Sequence, residues 1–176
     1  RPDWERAGVQ LVADILPYEN IKLRLLNASH SAIAYIGLLA GIETVDQVMT
    51  DAVLGTYIQR LMAEDLVPAL EAPDGFDLDS YRDALLVRFG NPCLEHSCRQ
   101  IAVDGTEKIR QRWLPALQQA QLPGQLLKAL AAWCYFILNT DLPVEDPRES
   151  GLLELRDAGE CIDRRLEVAL DCVGIS

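Results

Sequence analysis

The stretch KLRLLNASH, residues 22–30, places a lysine, an asparagine and a histidine within nine positions, just ahead of the apolar run SAIAYIGLLAG. Each side-chain type has a use in moving a proton. A lysine stripped of water favours its neutral form and can act as a base. A carboxamide can donate to a developing oxyanion, and an imidazole can give or take a proton near neutral pH. At the α-helical step of about 100° per residue, Lys22, His30 and Asn27 fall at about 0°, 80° and 140°, one arc spread over about 12 Å of axis. Ile21, Leu25, Ala28, Ala32, Tyr35 and Ile36 fill the rest of the circumference, the pattern of an interior helix. A lysine charge buried there costs several kcal/mol unless a partner or loss of the proton compensates. The spacing alone leaves a plainer reading open: Lys22 reaching water, Asn27 bonding nearby backbone and His30 satisfied in a core.

The elements that must position this arc read as helices. Pro17 precedes a segment over 19–41, where Gly41 can end it. Thr44 caps a short segment over 45–49. A longer one over 52–70 puts Val53, Leu54, Tyr57, Ile58 and Leu61 on one buried face. Asp79 or Ser80 opens a helix through Phe89, closed by Gly90-Asn91-Pro92. Short helices are expected over 98–103 and 106–114. Pro123-Gly124 breaks the chain before 126–138, and an amphipathic helix runs over 157–172. Residues 9–15 (VQLVADI) alternate only partially, enough for one edge strand. Trp113 and Trp133 read as core, and Glu145, Asp146 and Glu149 as a solvated loop. The expectation is one all-α domain, 1–176, of seven to nine helices.

Composition narrows the function. Of 176 residues, 49% are hydrophobic and 24% charged, a globular balance. Twenty-seven acidic against sixteen basic residues give a net charge of −11, so no nucleic acid and no anionic membrane surface is expected as a partner. The apolar run 31–41 is too short to span a bilayer. Five scattered cysteines suit free thiols and a cytoplasmic location. The spacing Cys93, His96, Cys98 is irregular and lacks a nearby fourth ligand, so no metal site is expected there. The start at Arg1-Pro2 reads as a piece of a longer protein.

Several blocks together resemble the mannitol dehydrogenase family of polyol-specific long-chain dehydrogenases, which includes hexuronate reductases. They are PYENIKLRLLNASHSA at 17–32, AGIETV at 40–45, YRDAL at 81–85, Asn91-Pro92 with His96, and RQIAVDGTEK at 99–108. The likeness is strong over 1–115 and loose beyond. It implies a multi-helical domain resembling the 6-phosphogluconate dehydrogenase C-terminal domain-like fold. It also implies an NAD(P)-dependent oxidoreductase acting on a polyol such as mannitol and its ketose. Lys22 then matches the catalytic base, Asn27 the oxyanion-stabilising amide and His30 an assisting residue, with no metal. Lys108 and Arg99 match substrate-binding cations, although an ion pair of Arg99 with Asp104 suits the sequence equally. Thr106-Glu107 and Ile109-Arg110 depart from the commoner Ser-Gln and Ile-Pro of that block. NAD or NADP would be held mainly by an N-terminal Rossmann domain, because no G-x-G-x-x-G follows a strand in this chain. Two alternatives stay open: a fructuronate or tagaturonate reductase, and a non-catalytic helical interaction module.

Overall fold

The computed structural model describes residues 2–119, 123–157, 159 and 161–175. Among them lie eleven α-helices and no strand, so the all-α expectation holds and the edge strand at 9–15 does not. That segment is exposed and irregular, and forms no strand. The one β-bridge among the described residues joins Thr44 to Ser97.

The long first helix starts earlier than its apolar period suggests. Helix α1 (Leu16–Ile21) takes Pro17 into its first turn, where a missing N–H is harmless. It continues as a π-helical turn, Lys22–Asn27, and then as α2 (Ala28–Leu39). Gly41, at φ 72°, closes α2 in the left-handed region; Ile42 N–H reaches back to Gly37 O at 2.8 Å. Helix α2 is buried from Ala28 to Tyr35 except for His30, and packs against α3 (Val45–Thr50), α6 (Cys98–Ala102), α7 (Gly105–Arg112) and α9 (Gly124–Asn139). The interior-helix pattern is therefore right for α2. It fails one turn earlier, where Lys22 is exposed.

Local chemistry accounts for the other helix starts. Asp51 caps α4 (Ala52–Arg60) by accepting from Val53 N and Leu54 N, both at 2.9 Å. Ile58 and Leu61 are fully buried, whereas Val53, expected on the same face, is 75% exposed because the first turn projects beyond the core. After α4 the chain passes through a second π turn, Leu61–Leu66. Asp77, two or three residues ahead of the expected cap, opens α5 (Leu78–Phe89) by accepting from Asp79 N and Ser80 N. Helix α8 (Leu114–Gln119) follows α7, with Trp113 at the junction. Helix α10 (Glu149–Asp157) falls where a solvated loop was expected, and the last helix, α11 (Ile162–Cys172), is shorter than its apolar period. The carbonyls ending α9 are met by arginines from these two helices. Arg156 donates to Ile137 O at 2.6 Å and Arg165 to Leu138 O at 2.6 Å. Trp113 and Trp133 are both fully buried, as expected.

Candidate active site

The π turn decides where Lys22 and Asn27 stand. Its bonds run to the fifth residue on, as Ala28 N–H does to Leu23 O, where an α-helix uses the fourth. Residues five apart across it are therefore related as residues four apart are in an α-helix, by about 40° in place of about 140°. His30, three residues past Asn27 in regular α geometry, falls about 60° back. By this step the polar arc narrows from about 140° to about 60°.

Their surroundings differ. Lys22 is exposed, while Asn27 and His30 are half-buried. The His30 ring lies 4.6 Å from the Phe89 ring and 5.7 Å from the His96 ring, edge to face with the latter. Burial, then the charges of His96, Arg112 and Arg88, push the His30 pKa down to about 4, so the ring is neutral at physiological pH. Its Nε2 is buried without a hydrogen-bond partner.

Helix α7 lies along the same flank. Arg112 Nη1 donates to Asn27 O at 3.2 Å and to Ser31 Oγ at 2.8 Å, and Trp113 Nε1 donates to Ala28 O at 3.0 Å. Lys108, one turn before Arg112, donates from Nζ to Ile101 O at 3.2 Å. Its pKa is lowered by burial first and by the Arg112 charge second. The start of α7 is held from forty residues away: Asp146 accepts from Thr106 N at 2.8 Å and Thr106 Oγ1 at 2.7 Å. The acidic loop is thus the cap of the helix bearing Lys108. Asp104, at φ 56°, gives that helix no side-chain cap.

Arg99 goes elsewhere. It pairs with Glu145 at 3.7 Å, not with Asp104, and lines a cavity of about 350 Å³ with Leu38, Phe136 and Leu142. Neither that cavity nor one of about 880 Å³ between Arg24, Asp65 and Pro73 is lined by Lys22, Asn27 or His30. Cys98 is buried and Cys93 exposed, and no group of three His, Cys, Asp or Glu among the described residues is arranged to hold a metal. All five cysteines are free thiols. Sequence reasoning gave His96 no role at His30 and Arg112 none at Asn27. His96 alone was marked, by its place in a block shared with known dehydrogenases; Arg112 lies four residues past the last such block.

A family profile described as the mannitol dehydrogenase C-terminal domain matches residues 14–169. The chain belongs to the mannitol dehydrogenase C-terminal domain family. It is 41% identical over 145 residues to D-mannonate oxidoreductase of Escherichia coli (strain K12), covering 80% of this chain and 30% of that protein. It is 36% identical over 182 residues to D-arabinitol 4-dehydrogenase of Ralstonia nicotianae, covering 94% of this chain and 39% of that one. The mannitol dehydrogenase domain also superposes on Pseudomonas fluorescens mannitol 2-dehydrogenase, solved as a ternary complex with NAD and D-mannitol. The TM-score is 0.84 at 29% identity, covering 99% of this chain and 37% of that one. The chain therefore spans roughly a third of the length of these relatives, and its all-α architecture is that of the corresponding part of the solved enzyme.

Proposed function

We propose that this domain is the substrate-binding and catalytic half of a nicotinamide-dependent oxidoreductase that interconverts a polyol such as mannitol with its ketose. The observation that supports the reading is the π turn over Lys22–Asn27, whose helical step draws Lys22, Asn27 and His30 toward one side of the helix. Lys22 accepts the proton of the substrate hydroxyl as the carbinol hydrogen leaves as hydride. The Asn27 carboxamide donates to the oxygen as negative charge builds on it. His30, neutral at working pH, donates to or accepts from a substrate hydroxyl without adding charge. The cofactor, when bound, supplies the hydride acceptor. Its phosphates find no strand and Gly-rich turn among the described residues, so a separate N-terminal nucleotide-binding domain holds it. No step is assigned to a metal. Support comes from the relatives' names and from the NAD and D-mannitol complex of the solved neighbour.

One observation favours a second substrate class. Lys22, Arg88, Lys108 and Arg112 make no ion pair among the described residues, although the chain carries eleven more acidic than basic groups. Of these, Arg88 and Lys108 stand near His30 and Arg112 respectively, and unpaired cations there suit a substrate carboxylate, and so a hexuronate and its aldonate. The experiment is steady-state kinetics of the full-length enzyme with mannitol and with mannonate, each with NAD and NADP. Turnover of neither substrate with either cofactor refutes the reading.

A further inference from the structure

Arg112 takes no part in the proton and hydride steps of the proposed chemistry, yet it bonds the helix that carries Lys22 and Asn27. Its guanidinium is largely withdrawn from water, carries no ion pair, and leaves Nε buried without a partner. Two of its bonds, at 3.2 and 2.8 Å, go to the backbone carbonyl of Asn27 and to Ser31 Oγ, one turn further along α2. Its neighbour Trp113, fully buried, adds a third from Nε1 to Ala28 O. All three bonds fall where the π turn hands over to regular α geometry, between Asn27 and Ser31. A π turn is rare and holds one residue more than an α turn, so unsupported it relaxes toward α geometry and the residue before it swings round. Here that swing would return Lys22 from about 40° to about 140° away from Asn27. Ser29 Oγ, donating to Leu25 O at 2.7 Å, ties the turn from inside, and α7 ties it from outside.

We infer that Arg112 is a positioning residue: through the Asn27 carbonyl and Ser31 it locks the exit of the π turn and so sets the Asn27 carboxamide against Lys22 in the alkoxide-stabilising geometry. This rests on the proposed dehydrogenase chemistry but adds a residue that touches neither substrate nor cofactor. Of the other charges near this site, Arg88 from α5 and His96 from the loop before α6 bear on His30, and Lys108, one turn before Arg112, bonds Ile101 O; none bonds the turn.

The test is a double-mutant cycle in the full-length enzyme. Arg112→Gln should lower kcat about a hundredfold, the usual effect of displacing a catalytic group by about 1 Å, with KM for NAD unchanged. In an Asn27→Ala background the same change should cost no more than about threefold, because the group Arg112 positions is already gone. Arg112→Lys should recover part of kcat, and Ser31→Ala, which leaves the guanidinium in place, should lose less than tenfold. Those two also keep the question decidable if Arg112→Gln does not fold. Equal losses from Arg112→Gln in both backgrounds overturn the inference in favour of a structural role. So does a rise in substrate KM with kcat intact, which makes Arg112 a substrate contact. Lys22→Ala is the reference: if it too keeps wild-type kcat, the dehydrogenase reading itself has failed, and not only the role of Arg112.

Discussion

Asp146 makes two long-range hydrogen bonds to the start of the helix bearing Lys108 and Arg112, so Asp146→Ala should be costly in stability. The carboxylate accepts from Thr106 N at 2.8 Å and Thr106 Oγ1 at 2.7 Å, and from Arg148 N at 3.0 Å in its own loop. Thr106 is fully buried, so water cannot replace either bond. Loss of a helix cap costs about 1 kcal/mol. A buried donor left unpaired adds about 1–3 kcal/mol. The sum is about 2–4 kcal/mol, which for a domain of this size lowers Tm by roughly 5–15 °C. Asp146→Asn keeps an acceptor but loses the charge, so its loss should be about half. Urea and thermal unfolding of the two variants measure this. A loss under about 0.5 kcal/mol for Asp146→Ala would show that α7 is held by its apolar packing alone, and the trans-cap argument would be wrong.

Further outcomes follow from the same geometry. In the full-length enzyme, Lys22→Ala should lower kcat by several orders of magnitude with cofactor binding retained, and added small amines should restore part of it; wild-type turnover in that variant under hydride-limited conditions contradicts the base assignment. Asn27→Ala should cost on the order of a hundredfold in kcat, and a loss under threefold removes it from the oxyanion role. Because the His30 pKa is depressed from 6.5 to about 4 in the folded state, the unfolded chain binds its proton first as pH falls. Stability is then full above about pH 6.5 and falls toward pH 4, by about 3 kcal/mol from this group. His30→Asn should flatten that part of a stability–pH curve, and an unchanged slope contradicts the burial of His30. Thiol titration of the native chain should show Cys93 and Cys161 reacting fast, while Cys98 and Cys134, buried with pKa values pushed up to about 11, stay protected until unfolding.

The sequence by itself determined what depends on neighbours along the chain. Three-four spacing marked α4, an all-round apolar run marked α2, cap and breaker residues bounded α5 and α9, and Gly41 ended α2 where a left-handed residue was needed. The block KLRLLNASH, with the blocks around it, marked the family. Those readings succeed because helix period, glycine freedom and motif spacing are all short-range properties. Only the tertiary structure decided the rest. The π turn breaks the α period that put Lys22 and Asn27 about 140° apart, and it is held by Arg112 and Trp113 from eighty-five residues away. Asp146 looked like a solvated acid because its partner, Thr106, is forty residues distant. Arg99 found Glu145 in place of Asp104, and of the two environments the sequence allowed Lys22, the structure takes the exposed one, although Ile21 beside it is buried. A local pattern specifies which face of a helix is apolar. Which other helix meets that face, and what register the meeting imposes on the backbone, is set by packing between segments that the pattern does not connect.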